Sequence, residues 1–323
     1  MPMVTNPTAG DVHVNTPLTN FSQKWLQSNT AFVSLMAMPN SPVAKQGDLY
    51  YEFNRADFFR NEAKIRADGA ESAGGGFKLS TSPYFANVYA FHKDVTDRQR
   101  SNQDSVIRLD QSATEFVALK MMIAREILFR DTFMVTSTWG SGTDAAVDWS
   151  LTTSTPIADV RLGVRTVQSN TGFRPNKMII GRQAWDTLQD NEDILSRVTG
   201  GSTVAQPANV RRELIAQLFE IEKIFVMDSV VNTANEGATE ATGLISADDV
   251  LIYYAPDALG VDTPSAGAQF SWTGFTGATS NGHRIKRWRE EKYEADRIEG
   301  QMAFDYKRTS TDLGYYLPAV SVT

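Results

Sequence analysis

The chain has 323 residues, 41% of them hydrophobic, and sets 31 basic side chains against 38 acidic ones for a net charge of −7, with no cysteine. That balance excludes a dedicated DNA-binding protein, whose phosphate contacts need a net basic face. The missing cysteine excludes disulfides, thiolate metal sites and cysteine nucleophiles together, and fits a reducing compartment.

Met1 to Asn20 is rich in Pro, Thr and Asn and has neither a basic start nor an apolar h-region, so it does not read as a signal peptide. No stretch approaches the run of roughly 20 apolar residues that a membrane span needs, and the reading is a soluble protein made in a cytoplasm. Residues 1 to about 44 read as an extended arm interrupted by Pro2, Pro7, Pro17, Pro39 and Pro42. Trp25, Leu26, Phe32, Leu35 and Met36 are its candidate anchors. Leu49, Tyr51 and Phe53 then alternate with polar neighbours, a strand signal. A charged stretch follows with Arg55, Asp57, Arg60, Glu62, Lys64 and Arg66, and Gly74, Gly75 and Gly76 suit a flexible reversal. Phe77 and Leu79 restart the alternation, which Phe85, Tyr89 and Phe91 continue. The whole predicts a long hairpin with a glycine tip. A two-stranded hairpin is marginal in water by itself, so this one needs a cover, from its own chain or another.

Leu109, Ala113, Phe116, Leu119, Ile123 and Ile127 fall at steps of three and four and predict a helix over 102–132, capped by Ser101 or Asn102. At 1.5 Å per residue it would be roughly 45 Å long, a rod against which other elements lie. Pro156 opens a second helix at its first position, and Gly172 closes it with a left-handed cap. Met178 to Ile180, Ile224 to Met227 and Leu251 to Tyr254 read as strands, with helices around 184–188 and 210–219. Strands and helices without a regular βαβ rhythm predict an α+β fold. Towards the end, Arg284, Arg287 and Arg289 precede Glu290 and Glu291. This segment is either a solvated strand pair or a surface that meets a complementary copy.

Chemistry is sparse. There is no phosphate-cradling glycine motif. His13, His92 and His283 are far apart, without metal-ligand spacing. The acidic pairs Asp248–Asp249 and Glu290–Glu291, and Asp190 with Glu192 and Asp193, lie beside turns or charged runs. The reading assigns no catalytic residue, no cofactor and no metal.

Four passages carry a family resemblance: Tyr89 to Arg98 leading into the long helix; Gly172 to Gly181 followed by Trp185 and Leu188; Leu218 to Ile221 with Val226 to Ser229; and Val250 to Pro256. In this order and spacing the chain resembles the major capsid proteins of tailed bacteriophages, with the HK97-type fold. The resemblance implies an N-terminal arm (1–47), an extended loop (48–97), a peripheral domain (98–174) containing a spine helix (102–132), an axial domain (175–275) and a return to the peripheral domain (276–323). It further implies copies assembled as hexamers and pentamers into an icosahedral shell that encloses double-stranded DNA in the virion, built in the bacterial host cytoplasm.

On that reading the extended-loop charges and Gly74–Gly76, together with the C-terminal charged segment, contact sister subunits. Scaffolding, portal and decoration proteins are the implied partners, with no membrane and no sequence-specific DNA contact. Lys64 and Lys78 lie where some relatives cross-link, but no partner residue is identified and the reading is without a cross-link. The alternatives are an encapsulin-like nanocompartment shell and, more remotely, a hydrolase or carbohydrate-binding protein built on Asp248 and Asp249.

Overall fold

A computed structural model describes residues 26–102, 108–140, 147–198, 212–260, 262–275 and 277–321. Two sheets organise them. The first is built on the 14-residue strand β12 (Ala295–Arg308). Along one side, β12 pairs antiparallel with β4 (Asn87–Thr96). Along the other it pairs first with β11 (His283–Glu290) and then with β10 (Gly267–Trp272), both antiparallel. Strand β1 (Asn40–Val43) runs parallel to β10.

The second sheet has the order β13 (Gly314–Leu317), β9 (Val250–Tyr253), β5 (Lys177–Gly181), β6 (Lys223–Met227), with β5 and β6 parallel. Every residue of β5 and β9 is buried, which matches their unbroken apolar runs, because both faces of this sheet are covered. One face carries the helices α4 (Pro156–Thr171), α5 (Arg182–Asp190), α6 (Glu192–Val198) and α7 (Arg212–Phe219). Their Ile157, Val160, Trp185, Leu188, Ile215 and Phe219 share a core with Met178, Ile180, Val250 and Ile252. On the other face Ile179, Leu251 and Tyr253 join a second core with Phe129 and Phe133 of the long helix α3 (Leu109–Phe133), which continues to Met302, Phe304 and Tyr306 of β12. Helix α3 therefore bridges the two sheets.

The rod begins later than its spacing predicts. Residues 97–101 form a separate short helix, α2 (Asp97–Ser101), closed by a capping box between Thr96 and Gln99; residues 103–107 lie outside the described residues. The buried stripe of α3 coincides with the expected one only in part: Ala113 is buried and Leu109, Ile123 and Ile127 pack against the core. Ala113, Val117, Met121, Phe129 and Phe133 are buried, while Phe116 is exposed and Leu119, Ile123 and Ile127 are half-buried. The helix is apolar on two adjacent faces, and periodicity alone does not choose between them. Gly300 shows which face packs, because a Cβ there would stand 2.7 Å from Val117 Cγ1.

From Phe32 onward the expected arm is part of the fold. Phe32, Val33, Ala37 and Met38 are buried, whereas the candidate anchors Leu26, Leu35 and Met36 are exposed and Trp25 lies outside the described residues. Side chains from several elements hold this segment. Glu126 of α3 accepts from the backbone N–H groups of Val33 and Ser34 at 3.0 and 2.9 Å. Tyr306 of β12 donates to Ser34 O at 3.1 Å, and Tyr253 of β9 donates to Ala37 O at 2.7 Å. Nearer the N-terminus, the Gln27 amide exchanges two hydrogen bonds with the backbone of Val230.

The contiguous ranges implied by the resemblance do not coincide with the sheets. Helix α4, within 98–174, packs on the second sheet. Strand β10, within 175–275, belongs to the first sheet, and β13, within 276–323, to the second. Strand pairing here follows chain crossovers between the sheets, which composition does not record.

Candidate interaction surface

The extended hairpin consists of β2 (Gly47–Phe53) and β3 (Leu79–Phe85), in register from Gly47 opposite Phe85 to Phe53 opposite Leu79. Beyond the ladder, the single turn α1 (Arg55–Phe58) and an exposed connection complete the loop. The chain reverses at Gly69, which is left-handed at φ 75°, with Ala70 N–H donating to Ala67 O. Gly74–Gly76 is thus not the tip but lies on the returning limb. The alternation after Phe85 also leaves the hairpin, because β4 pairs with β12 and not with β2.

A two-residue period gives the hairpin two faces. Tyr50 and Tyr84 lie on one face and stack on Phe270 of β10, with centroids 5.4 and 4.6 Å away. Burial and the nearby Glu52 carboxylate push the Tyr50 phenol up to about 12. The opposite face carries Leu49, Tyr51, Phe53, Leu79 and Phe85, all exposed, with Tyr51 at 70% and Leu49 at 57%. At the end of this face Phe53, Phe58 and Phe77 form a ring cluster with centroids 5.4–6.0 Å apart, and each ring is exposed. The hairpin thus turns its apolar side away from its own subunit.

The loop charges behave differently. Arg55 pairs with Asp312 at 2.6 Å across the loop root. Arg60 pairs with Asp57 at 2.8 Å and with Glu62 at 3.6 Å, and Asp57 also accepts the Lys78 N–H. Arg66 donates to Ala70 O, Glu62 lies against Gly75, and Lys64 has no partner among the described residues. An open groove of about 520 Å³ lies at the root between Phe53, Arg55, Lys78 and Asp312.

The C-terminal charges form a network within the chain. Arg287 bridges Asp296 at 2.7 Å and Asp110 at 3.0 Å, and Arg289 grips Asp97 with two hydrogen bonds of 2.6 Å. These guanidinium groups hold the Asp97 and Asp296 carboxyls below their usual range. Arg284 donates to Gln301 at 2.6 Å and stacks on Phe275. Glu290 accepts from the Trp288 indole at 3.4 Å, while Glu291 is exposed beside Arg289 at 3.5 Å. Within the chain these charges thus meet counter-charges on β12, α2 and α3.

The apolar face is what sequence reading missed as a site. Its signal was present in the alternation of Leu49, Tyr51 and Phe53, but alternation marks a strand without saying which face is covered.

The acidic pair at 248–249 is occupied structurally. Asp249 accepts from Tyr316 Oη at 2.8 Å and Ser246 Oγ at 3.1 Å, and burial beside Asp249 pushes the Asp248 carboxyl up. His283 meets Arg125, and His13 lies outside the described residues. Among the described residues no group of three or more His, Asp or Glu side chains is placed to hold a metal ion, and no helix is long and apolar enough to cross a membrane.

No family model matches the sequence. The major capsid protein of Burkholderia phage BcepMu is 21% identical over 235 residues, covering 71% of this chain and 73% of that protein. Among solved structures, a phage-related protein from Bordetella bronchiseptica RB50 aligns with a TM-score of 0.67 at 17% identity, covering 92% of this chain and 94% of the other. The capsid of cyanophage P-SCSP1u aligns at 0.58 with 10% identity, covering 98% and 96%. An encapsulin from Synechococcus elongatus PCC 7942 shares the fold at 0.55 with 12% identity, covering 95% and 94%. The chain therefore has the HK97-like α+β fold of phage major capsid proteins, the family its sequence resembles.

Proposed function

We propose that this chain is a structural shell subunit, assembling as hexamers and pentamers into a closed icosahedral capsid that encloses double-stranded DNA. The observation that carries the reading is the outward apolar face of the hairpin, Leu49, Tyr51, Phe53, Leu79 and Phe85 with the Phe58–Phe77 rings. Contiguous exposed apolar surface of this kind marks an interface. Its own subunit turns the other face of the hairpin inward through Tyr50 and Tyr84. A sister subunit is therefore the cover. The named relative, a phage major capsid protein, supports the same role and a place in the virion.

In this reading the loop contact is mainly apolar. Arg55, Asp57, Arg60 and Glu62 stiffen the loop, leaving Lys64 and Gly74–Gly76 to reach the neighbour. Exposed ion pairs contribute only about 0–1 kcal/mol each, so strength comes from repeated interfaces. Arg287 ties the β11–β12 hairpin to α3 through Asp110 and Arg289 ties it to α2 through Asp97, and with Arg284, Glu290 and Glu291 they present a mixed-charge edge to the next subunit. An acidic chain suits a wall that encloses DNA without gripping it. Scaffolding, portal and decoration proteins complete the particle, and assembly takes place in the host cytoplasm. No enzymatic step is assigned.

Light scattering with negative-stain microscopy tests this: purified protein should yield closed particles tens of nanometres wide. A homogeneous species near 36 kDa under every assembly condition would refute it. Phe58→Ser with Phe77→Ser should abolish closure while the far-ultraviolet circular dichroism stays unchanged. The shared encapsulin fold gives the second reading, a compartment with cargo enzymes, which copurifying cargo in place of packaged phage DNA would establish.

A further inference from the structure

The helical layer over the second sheet carries charges of opposite sign on two sides that have no counter-charge among the described residues. Helix α4 lies along β9 and β13 and contacts α6 and α7. Its inner flank is marked by Asp159, which accepts from the Trp149 indole at 3.0 Å and whose carboxyl is pushed up by burial, with the Asp193 charge of α6 adding to it. At 3.6 residues per turn, Arg161 and Arg165 point about 200° and 240° around the helix from Asp159, on the opposite flank of the helix from that residue. Both are exposed, and among the described residues neither has a carboxylate partner. Leu162, 45% exposed, lies beside them at about 300° on the same scale. Across the layer, at the α5–α6 corner, Asp190 and Glu192 are exposed and likewise unpaired among the described residues. That corner is rigid, because the buried Asn191 between them donates to Trp149 O at 3.0 Å and to Ser154 Oγ at 2.8 Å.

We infer that the Arg161–Leu162–Arg165 flank of α4 is an interface for a second copy of this chain, which presents its Asp190–Glu192 corner. Two different patches of opposite sign on one subunit make a head-to-tail contact, and such contacts close into rings when the rotation permits. Charge complementarity steers the encounter and fixes register, while Leu162 beside the arginines supplies apolar contact. Nucleic acid is the weaker occupant: two arginines on a chain of net charge −7 do not make a backbone-tracking stripe. The inference rests on the shell reading and adds to it the surface that joins subunits within one ring.

The test is charge reversal on the full chain. Arg161→Glu with Arg165→Glu should leave circular dichroism and Tm as in the wild type but raise the concentration needed for half-assembly about tenfold or more, since two attractions become repulsions. Asp190→Lys with Glu192→Lys should do the same, and combining all four should restore assembly. Should the first variant misfold, Arg161→Gln with Arg165→Gln should show a smaller shift in the same direction. Reversal variants that assemble at wild-type concentration, or a quadruple variant that does not recover, overturn the interface while leaving the shell reading intact; particles that assemble normally but lose DNA overturn it in favour of nucleic acid. Wild-type protein that never assembles overturns both.

Discussion

Arg125 occupies a place in the buried stripe of α3 where an apolar side chain would ordinarily sit. Its guanidinium lies 4.6 Å from the Phe304 ring centroid, donates to Tyr306 Oη at 2.9 Å and meets the ring of His283. Burial, with the Arg125 charge beside it, lowers His283 to about 4. The unfolded chain, with an ordinary imidazole near 6.5, binds the proton first as pH falls. The histidine's contribution is therefore complete above about pH 6.5 and is lost progressively down to pH 4, roughly 2 kcal/mol of it by pH 5. Urea unfolding at pH 7 and pH 5 should show this loss, and His283→Gln should flatten the difference; an equally steep decline in the variant would reassign it. None of this was legible beforehand. A lone histidine and a lone arginine 158 positions apart carry no local signal of contact.

Elements were more readable than their orientations. The α4 bounds follow from Pro156 at its start and the left-handed Gly172 at its end, φ 74°, as the sequence predicts. Here local chemistry decides, because a fixed φ and a missing Cβ act within one residue. Helix α3 was legible as a rod, but its packed face was not, since two apolar stripes run side by side. The structure makes the distinction measurable. Phe129→Ala, at a fully buried position, should cost about 3–5 kcal/mol. Phe116→Ser, on the exposed stripe, should stay within about 1 kcal/mol. Denaturant midpoints of the two variants check this, and comparable losses would mean that both stripes are core. The short strands β1 and β13 escaped notice for a related reason: their pairing partners lie far along the chain, and four-residue runs hold no reliable period.

At the scale of the molecule, residues 27–38 act as a strap. They are tied to α3 by Glu126, to β12 by Tyr306, to β9 by Tyr253 and to β7 (Val230–Asn232) by Gln27, so one segment joins both sheets. Glu126 is fully buried, and burial pushes its carboxyl up against the pull of the Val33 and Ser34 N–H groups. Glu126→Gln keeps the shape and one acceptor oxygen but turns its NH2 towards the other donor, and should cost about 1–3 kcal/mol. Hydrogen exchange should quicken at Val33 and Ser34 and hold steady along β12; unchanged exchange at the two amides would show that the strap is held by packing alone. Proline spacing led the sequence reading to set this stretch apart as an arm, and only buried side chains from elements more than 90 positions away reveal that it is interior.

The outward face of the hairpin has one more consequence, for the molecule before it finds company. A freshly made chain displays greasy side chains on a projecting ribbon, so its solitary state is the adhesive one, prone to clumping with any passing strand or membrane. Such a polypeptide is safest when its concentration rises quickly past the point of ordered growth, or when an escort masks the ribbon until a proper seat is free. Its yield in a cell should therefore depend on timing as much as on folding.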